Sequence, residues 1–99
     1  MRRAAKVDAN QKEIVDALRS AGASVVSTAS MADGFPDLVV GFRGENYLLE
    51  VKDGNKPPSK QRLTADQEVF FSSWKGSAQV VRDPQEALAA IGAGFVSDG

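Results

Sequence analysis

Neither cysteine nor histidine occurs among the 99 residues. Without thiols the chain has no disulfides and no thiolate metal site, and without imidazole it has neither a histidine ligand nor a histidine base. Any metal it takes must be a hard cation held by oxygen. An excess of either charge is also missing: 12 Lys and Arg stand against 13 Asp and Glu, for a net charge of −1 and a pI near 5.3. That balance does not advertise nucleic-acid binding. No apolar run approaches the roughly 20 residues a membrane helix needs, and Met1-Arg2-Arg3-Ala4-Ala5-Lys6 leads into polar sequence rather than the apolar core of a signal peptide. The expectation is a soluble, cytoplasmic protein with no membrane partner. The rest of the composition is ordinary for a globular chain, 42% hydrophobic and 25% charged. Residues 1–99 read as a single domain, able to bury roughly 60–70% of its unfolded surface.

Residues 1–7 read as a flexible basic arm. A first helix is expected to start at Asp8, with Gln11 three residues on as a capping box and Gly22 as the stop. Its apolar stripe is Ile14, Leu18 and Ala21, broadened by Val15. Ala23–Thr28 is β-branched and short, a strand, and Ala29–Gly34 is a loop ending in the Asp33-Gly34 turn signal. Two apolar runs, Leu38–Gly41 and Asn46–Lys52, joined through Phe42-Arg43-Gly44-Glu45, read as a β-hairpin. Asp53–Arg62 is a loop by composition. Thr64 caps a second helix, with Gln67 at the matching capping-box position, Val69, Phe70 and Trp74 as its apolar face, Phe71 broadening that face, and Gly76 as the stop. Ala78–Val81 reads as a strand. Asp83-Pro84-Gln85-Glu86 opens a last helix anchored by Leu88 and Ile91 and ended by Gly92 and Gly94. The tail 95–99 is expected to be flexible unless Phe95 and Val96 pack on a partner chain. The order αβββαβα predicts an α/β fold, a mixed β-sheet flanked by helices, in which the second helix carries the chain to a parallel strand.

The chemistry concentrates on the hairpin. A side-chain period of two places Asn46, Leu48, Glu50 and Lys52 on one face of the second strand, with Tyr47, Leu49 and Val51 on the other. Asp37 enters at the start of the first strand, where a slight stagger brings its carboxylate near Glu50. Two carboxylates and an ammonium then surround one spot. Mg2+ is typically held by one or two carboxylates together with waters and phosphate oxygens. A lysine beside it can orient and activate a water, so the arrangement suits metal-assisted phosphodiester hydrolysis. Charge distribution agrees better than the sum does. Residues 1–12 carry Arg2, Arg3, Lys6 and Lys12 against Asp8, and residues 52–62 carry Lys52, Lys56, Lys60 and Arg62 against Asp53. Such cations suit phosphate contacts, which position a duplex without reading its sequence.

Pro36-Asp37 followed by Glu50-Val51-Lys52 resembles the PD-(D/E)xK nucleases. With Glu13 on an early helix, Gly34-Phe35-Pro36-Asp37-Leu38, Leu49-Glu50-Val51-Lys52 and Leu63-Thr64-Ala65-Asp66-Gln67 in that order, the chain is similar to the virus-type replication-repair nuclease (VRR-Nuc) domain, from about Asn10 to Ile91. The resemblance implies a restriction-endonuclease-like core and a metal-dependent endonuclease acting on DNA, in a cell or, for a phage-encoded chain, in the host cytoplasm. It implies Mg2+ or Mn2+ held by Asp37, Glu50 and the main-chain carbonyl of Val51, with Glu13 acting through water or a second ion. Lys52 would orient and activate the attacking water and Gln67 would support it. Gln67 then has two duties, at the cap and at the lysine, and neither is expected to be full-time. Lys56, Lys60, Arg62, Lys12, Arg2 and Arg3 are the expected DNA contacts, and Ser30 and Met31 border the substrate cleft. Small stand-alone members resemble Holliday-junction-resolving enzymes, which implies a homodimer supplying two sites for paired cuts, with Phe42, Tyr47 and Phe95 as apolar surface candidates. A nickase or flap nuclease of a replication or repair complex, and a non-cleaving DNA-binding module of the same fold, are the alternatives.

Overall fold

The computed structural model describes residues 8–29 and 31–93. The expected DNA contacts Arg2, Arg3 and Ser30, the basic arm 1–7, and the tail with Phe95 lie outside them. Three helices and four strands follow the expected order: α1 Gln11–Ser20, β1 Ser24–Ser27, β2 Leu38–Phe42, β3 Glu45–Val51, α2 Ala65–Ser73, β4 Ala78–Val81 and α3 Pro84–Ala90, with a short 3-10 turn at Pro58–Lys60. The fold is mixed α/β. The sheet runs β1-β2-β3-β4, the first two pairings antiparallel and β3–β4 parallel. No helix among the described residues is long and apolar enough to cross a membrane.

The hairpin is tighter than its sequence suggests. Strands extend to Phe42 and from Glu45, leaving Arg43-Gly44 as a two-residue turn with φ of 52° and 82°. Positive φ at both central residues matches the right-handed twist of the flanking strands, and Gly44 adopts it without strain. Tyr47, Leu49 and Val51 face the core with Leu38 and Val40, and Ile14, Leu18, Ala87 and Ile91 cover them from α1 and α3. Phe42 and Tyr47, candidates for a partner surface, are packed against this core.

Two helix expectations are corrected. The first helix starts at Gln11 with Asn10 as N-cap, and no side chain caps it; Asp8 instead accepts the Gln11 amide through its main-chain oxygen at 3.0 Å. Ala21 is exposed, because the helix has already closed: Ala23 N bonds Leu18 O and Gly22 N bonds Arg19 O, with Gly22 at φ 99°. The second helix ends at Ser73, before Gly76, and buries no residue. Val69 is 65% exposed. It sits about 200° around the helix from Gln67, so it turns away when Gln67 turns inward. Phe70, Phe71 and Trp74 lie on the Gln67 side; Phe70 stacks on Trp74 at 4.9 Å and meets Phe35 edge-on at 5.4 Å.

Candidate active site

Asp37 is fixed from both sides. Thr28, buried just beyond β1, donates its amide to Asp37 O at 2.7 Å and its hydroxyl to Pro36 O at 2.8 Å. The ladder therefore continues past the last paired residues and sets the backbone of Pro36-Asp37. The Asp37 carboxylate reaches across to β3 and accepts the Val51 amide at Oδ2, 2.9 Å. Glu50, only 2% exposed, and Lys52, 8% exposed, share the opposite sheet face from Val51.

Gln67 joins the remaining pieces. Its Oε1 accepts both Lys52 Nζ at 2.9 Å and the Thr64 amide at 2.9 Å, while its Nε2 donates to Glu50 Oε2 at 2.9 Å. Thr64 returns the cap by accepting Gln67 N at 3.2 Å. The two duties expected to compete are met at once, because an amide oxygen has two lone pairs and its nitrogen serves a third partner. Lys52 Nζ also stands 3.7 Å from Glu50 Oε2.

Burial dominates the electrostatics. Desolvation, and then the neighbouring Asp37 carboxyl, push Glu50 up to about 8, although Lys52 pulls the other way. Desolvation also raises Asp37; the Val51 amide and the contact with Glu50 oppose the rise, and the negative charge of Asp8 adds to it. Two close carboxyls cannot both be charged cheaply in a dry site. Glu50 Oε1 is buried and makes no hydrogen bond. An orphaned carboxyl oxygen facing a second carboxyl is a fitting place for a hard cation, which would favour both charges. Among the described residues no group of three or more Asp, Glu, His or Cys is arranged as a metal site, and the carboxyls that come together here are the two of Asp37 and Glu50.

The other expected residues are spread more widely. Glu13 is exposed and lines a separate cleft with Lys12, Asp16, Asp53 and Asn55; nothing brings it to the Asp37–Glu50 pair. Lys12 is paired with Asp16 at 2.8 Å. Val51 meets Asp37 through its amide. Lys56 lies 3.9 Å from Asp8, Lys60 closes the 3-10 turn, and Arg62 lines a cleft with Arg82. Met31 is 66% exposed.

Three residues escaped the sequence reading. Asn10 Nδ2 donates to Lys52 O at 3.1 Å and Arg82 O at 2.7 Å, clamping the ends of two parallel strands beside the lysine. Asp8 acts on Asp37 by charge. Arg82 directly follows β4, as Lys52 directly follows the neighbouring β3. The Asp8 and Asn10 contacts bridge distant segments, so local spacing carried no signal for them; Arg82 had only its position after a strand.

The chain matches no protein-family model, no curated protein and no solved structure.

Proposed function

We propose that this chain is a divalent-metal-dependent endodeoxyribonuclease of the PD-(D/E)xK kind, similar to VRR-Nuc domains. One observation carries the reading: Asp37 and Glu50 converge with an unpartnered buried carboxyl oxygen, beside a lysine that Gln67 holds in place. The mixed sheet, with its parallel fourth strand and covering helices, agrees with the core that such enzymes share.

Asp37 and Glu50 would hold Mg2+ or Mn2+. When bound, such an ion polarises a phosphoryl oxygen and lowers the pKa of a coordinated water. The chain's own residues do the positioning. Gln67 and Glu50 hold the Lys52 ammonium so that its remaining protons point at an approaching phosphate or its attacking water. Fixed before substrate arrives, that charge stabilises the pentacoordinate phosphorane without reorganising. Asp37 keeps its place through the Val51 amide even when its second oxygen is engaged.

A two-fold homodimer would supply two such sites for paired cuts in a four-way junction. The test is cleavage of labelled four-way junction, flap, nicked and linear duplex DNA with Mg2+ or Mn2+, beside Lys52→Ala and EDTA controls. Symmetric paired cuts, lost in both controls, establish a resolving nuclease. Cuts in flap or nicked DNA alone give the single-site alternative. DNA binding without metal-dependent cleavage of any substrate overturns the nuclease reading.

A further inference from the structure

Beside the carboxylate pair, on the β4 side, lies a cleft of about 440 Å³ lined by Pro58, Gln61, Arg62, Leu63, Val80 and Arg82. Two arginines and no carboxylate line it. The cleft on the Asp37 side is the reverse, lined by Asp33, Asp37 and Asp66 without a cation. The site thus has an acidic flank and a basic flank, with Glu50, Lys52 and Gln67 between them.

Sheet register fixes where the basic flank stands. Glu50 pairs with Val80 and Val51 with Val81, and Lys52 N continues the ladder to Val81 O at 3.0 Å. Val80 and Arg82 therefore belong to the sheet face that carries Glu50 and Lys52. Neighbouring strands lie about 4.8 Å apart, so Arg82 stands one strand over from Lys52. Asn10 ties the two main chains together there.

Arg82 is also held more firmly than an exposed arginine needs to be. Its amide donates to Glu86 Oε1 at 2.9 Å, its Nε donates to Gln61 Oε1 at 2.8 Å, and its Nη1 lies 3.6 Å from Glu86 Oε1. Gln61 is itself anchored, donating Nε2 to Lys56 O at 2.7 Å. Gly54 sits against Arg82 Cβ so closely that a methyl group there would come within 3.2 Å of it. The guanidinium is held through Nε by Gln61 and at Nη1 by the Glu86 carboxylate, while Nη2 has no partner among the described residues. A guanidinium held on two sides, with its Nη2 protons left over, is prepared to donate a charge-assisted hydrogen bond to a phosphate oxygen. Arg62, across the cleft, makes no hydrogen bond or ion pair among the described residues.

We propose that the Arg62–Arg82 cleft is a second phosphate subsite, which takes the DNA phosphate next to the one being hydrolysed. This rests on the nuclease reading for the identity of the scissile phosphate, and Arg82 holds the neighbouring one by its Nη2 donors. The subsite fixes the strand across the acidic flank, from the metal-ligating carboxylates to the basic cleft. A backbone phosphodiester and the terminal phosphate of a nicked strand offer the same oxygens.

The test is binding of duplexes in which one phosphate at a time, on either side of the cut position, is replaced by a neutral methylphosphonate. Fluorescence anisotropy in EDTA reads affinity without cleavage, for the wild-type chain, Arg82→Ala, Arg82→Lys and Arg62→Ala. The expected result is one position, adjacent to the cut, at which neutralisation weakens wild-type binding about tenfold. The same replacement costs nothing further in Arg82→Ala, and Arg62→Ala loses part of the effect. Nicked duplexes with 5′-phosphate or 5′-hydroxyl ends distinguish the sources: tighter binding of the phosphorylated nick, lost in Arg82→Ala, assigns a terminal phosphate, and equal binding with coupling retained assigns an internal one. Arg82→Lys keeps the charge and the strand anchor, so folding is checked by its thermal unfolding and its partial retention of the coupling. Equal, additive losses at every position in wild type and Arg82→Ala overturn the subsite, even where metal-dependent cleavage stands. Coupling at one position without cleavage sustains the subsite while the nuclease reading falls.

Discussion

Gln67 Oε1 accepts the Lys52 ammonium at 2.9 Å while the same side chain donates to Glu50 Oε2 at 2.9 Å. One amide thus fixes the cation and one of the two carboxyls relative to each other, and its bond to the Thr64 amide fixes both relative to the start of α2. Gln67→Glu keeps an acceptor for Lys52 and Thr64 but turns the donor facing Glu50 into a second acceptor. Gln67→Ala removes all three bonds. Both variants are expected to bind DNA normally and to cleave with a lower kcat, by about ten- to hundredfold, the scale of a positioning contact. The alanine variant should also lose about 1 kcal/mol of stability with its capping box. A rise in KM alone, with kcat intact, would show that Gln67 does not hold the lysine for catalysis.

Asp37→Asn separates charge from fold. An asparagine oxygen can still accept the Val51 amide, so the β2–β3 junction stays closed. Removing one of two close carboxyls relieves repulsion in the metal-free protein. Thermal unfolding should be unchanged or raised, and metal-dependent cleavage should disappear. Asp37→Ala leaves the Val51 amide without its partner and should cost about 1–3 kcal/mol. Undiminished cleavage in a stably folded Asp37→Asn would remove Asp37 from the site.

The raised Glu50 gives the metal-free protein a definite pH dependence. Between about 4.5 and about 8 the folded chain keeps a proton that the unfolded chain has released, so stability falls as pH rises through that window. The Tm without metal should be higher at pH 5.5 than at pH 8, by an amount that Glu50→Gln largely abolishes. Mg2+ or Mn2+ added at pH 8 should recover part of the loss, since a ligand that binds only the folded state stabilises it. A wild-type Tm that rises between pH 5.5 and 8, with no difference from Glu50→Gln, would contradict the burial argument.

What the sequence revealed was mostly what neighbours in sequence decide. Thr64 and Gln67 form their capping box because three residues of spacing suffice. Asp83 caps α3 at Glu86 N for the same reason, and β4 falls on Ala78–Val81. Glu50 and Lys52 share a face because strand geometry dictates it. Asp8 looked like the cap of α1 by the same local logic, yet the helix begins later, with Asn10 as N-cap, and Asn10 gives its side chain not to the helix but to strand ends 42 and 72 residues away. Trp74 and Val69 looked like core because they are apolar. They are 45% and 65% exposed: Val69 turns outward because Gln67 turns the opposite side of α2 towards a polar site, and Trp74 lies at the open end of the helix as its C-cap. Arg82 carried no motif at all, and its importance comes from register with Lys52.

Gly34 holds the Asp37 approach against α2. It has φ of +85°, and a Cβ there would stand 2.6 Å from Asp66 O. Gly34→Ala therefore meets both a left-handed backbone penalty of about 1–2 kcal/mol and a clash with main chain that cannot rotate away. The relief available is a shift of the loop or of the α2 start, and α2 carries Gln67. The expected outcome is a stability loss of about 2 kcal/mol or more, with cleavage reduced further than stability accounts for at low temperature. Wild-type stability and activity in Gly34→Ala would mean the loop and helix tolerate separation.

Asn10 offers the most direct check on how Lys52 is presented. Its Nδ2 serves two main-chain oxygens, whereas its Oδ1 is buried and makes no hydrogen bond, so the role is that of a donor alone. Asn10→Ala leaves the Lys52 and Arg82 carbonyls without that donor in a buried setting, at a cost of about 1–3 kcal/mol. Asn10→Asp is nearly the same size but sets an acceptor against two acceptors. If donation is what matters, the aspartate is the worse replacement, in chemical denaturation above pH 6 and in kcat, with the deficit shrinking as acid restores a proton. If Asn10 merely fills space, the order reverses, because aspartate preserves the volume that alanine removes. The ranking of the two variants at pH 7 thus decides between a donor that anchors the backbone at Lys52 and a side chain that only packs.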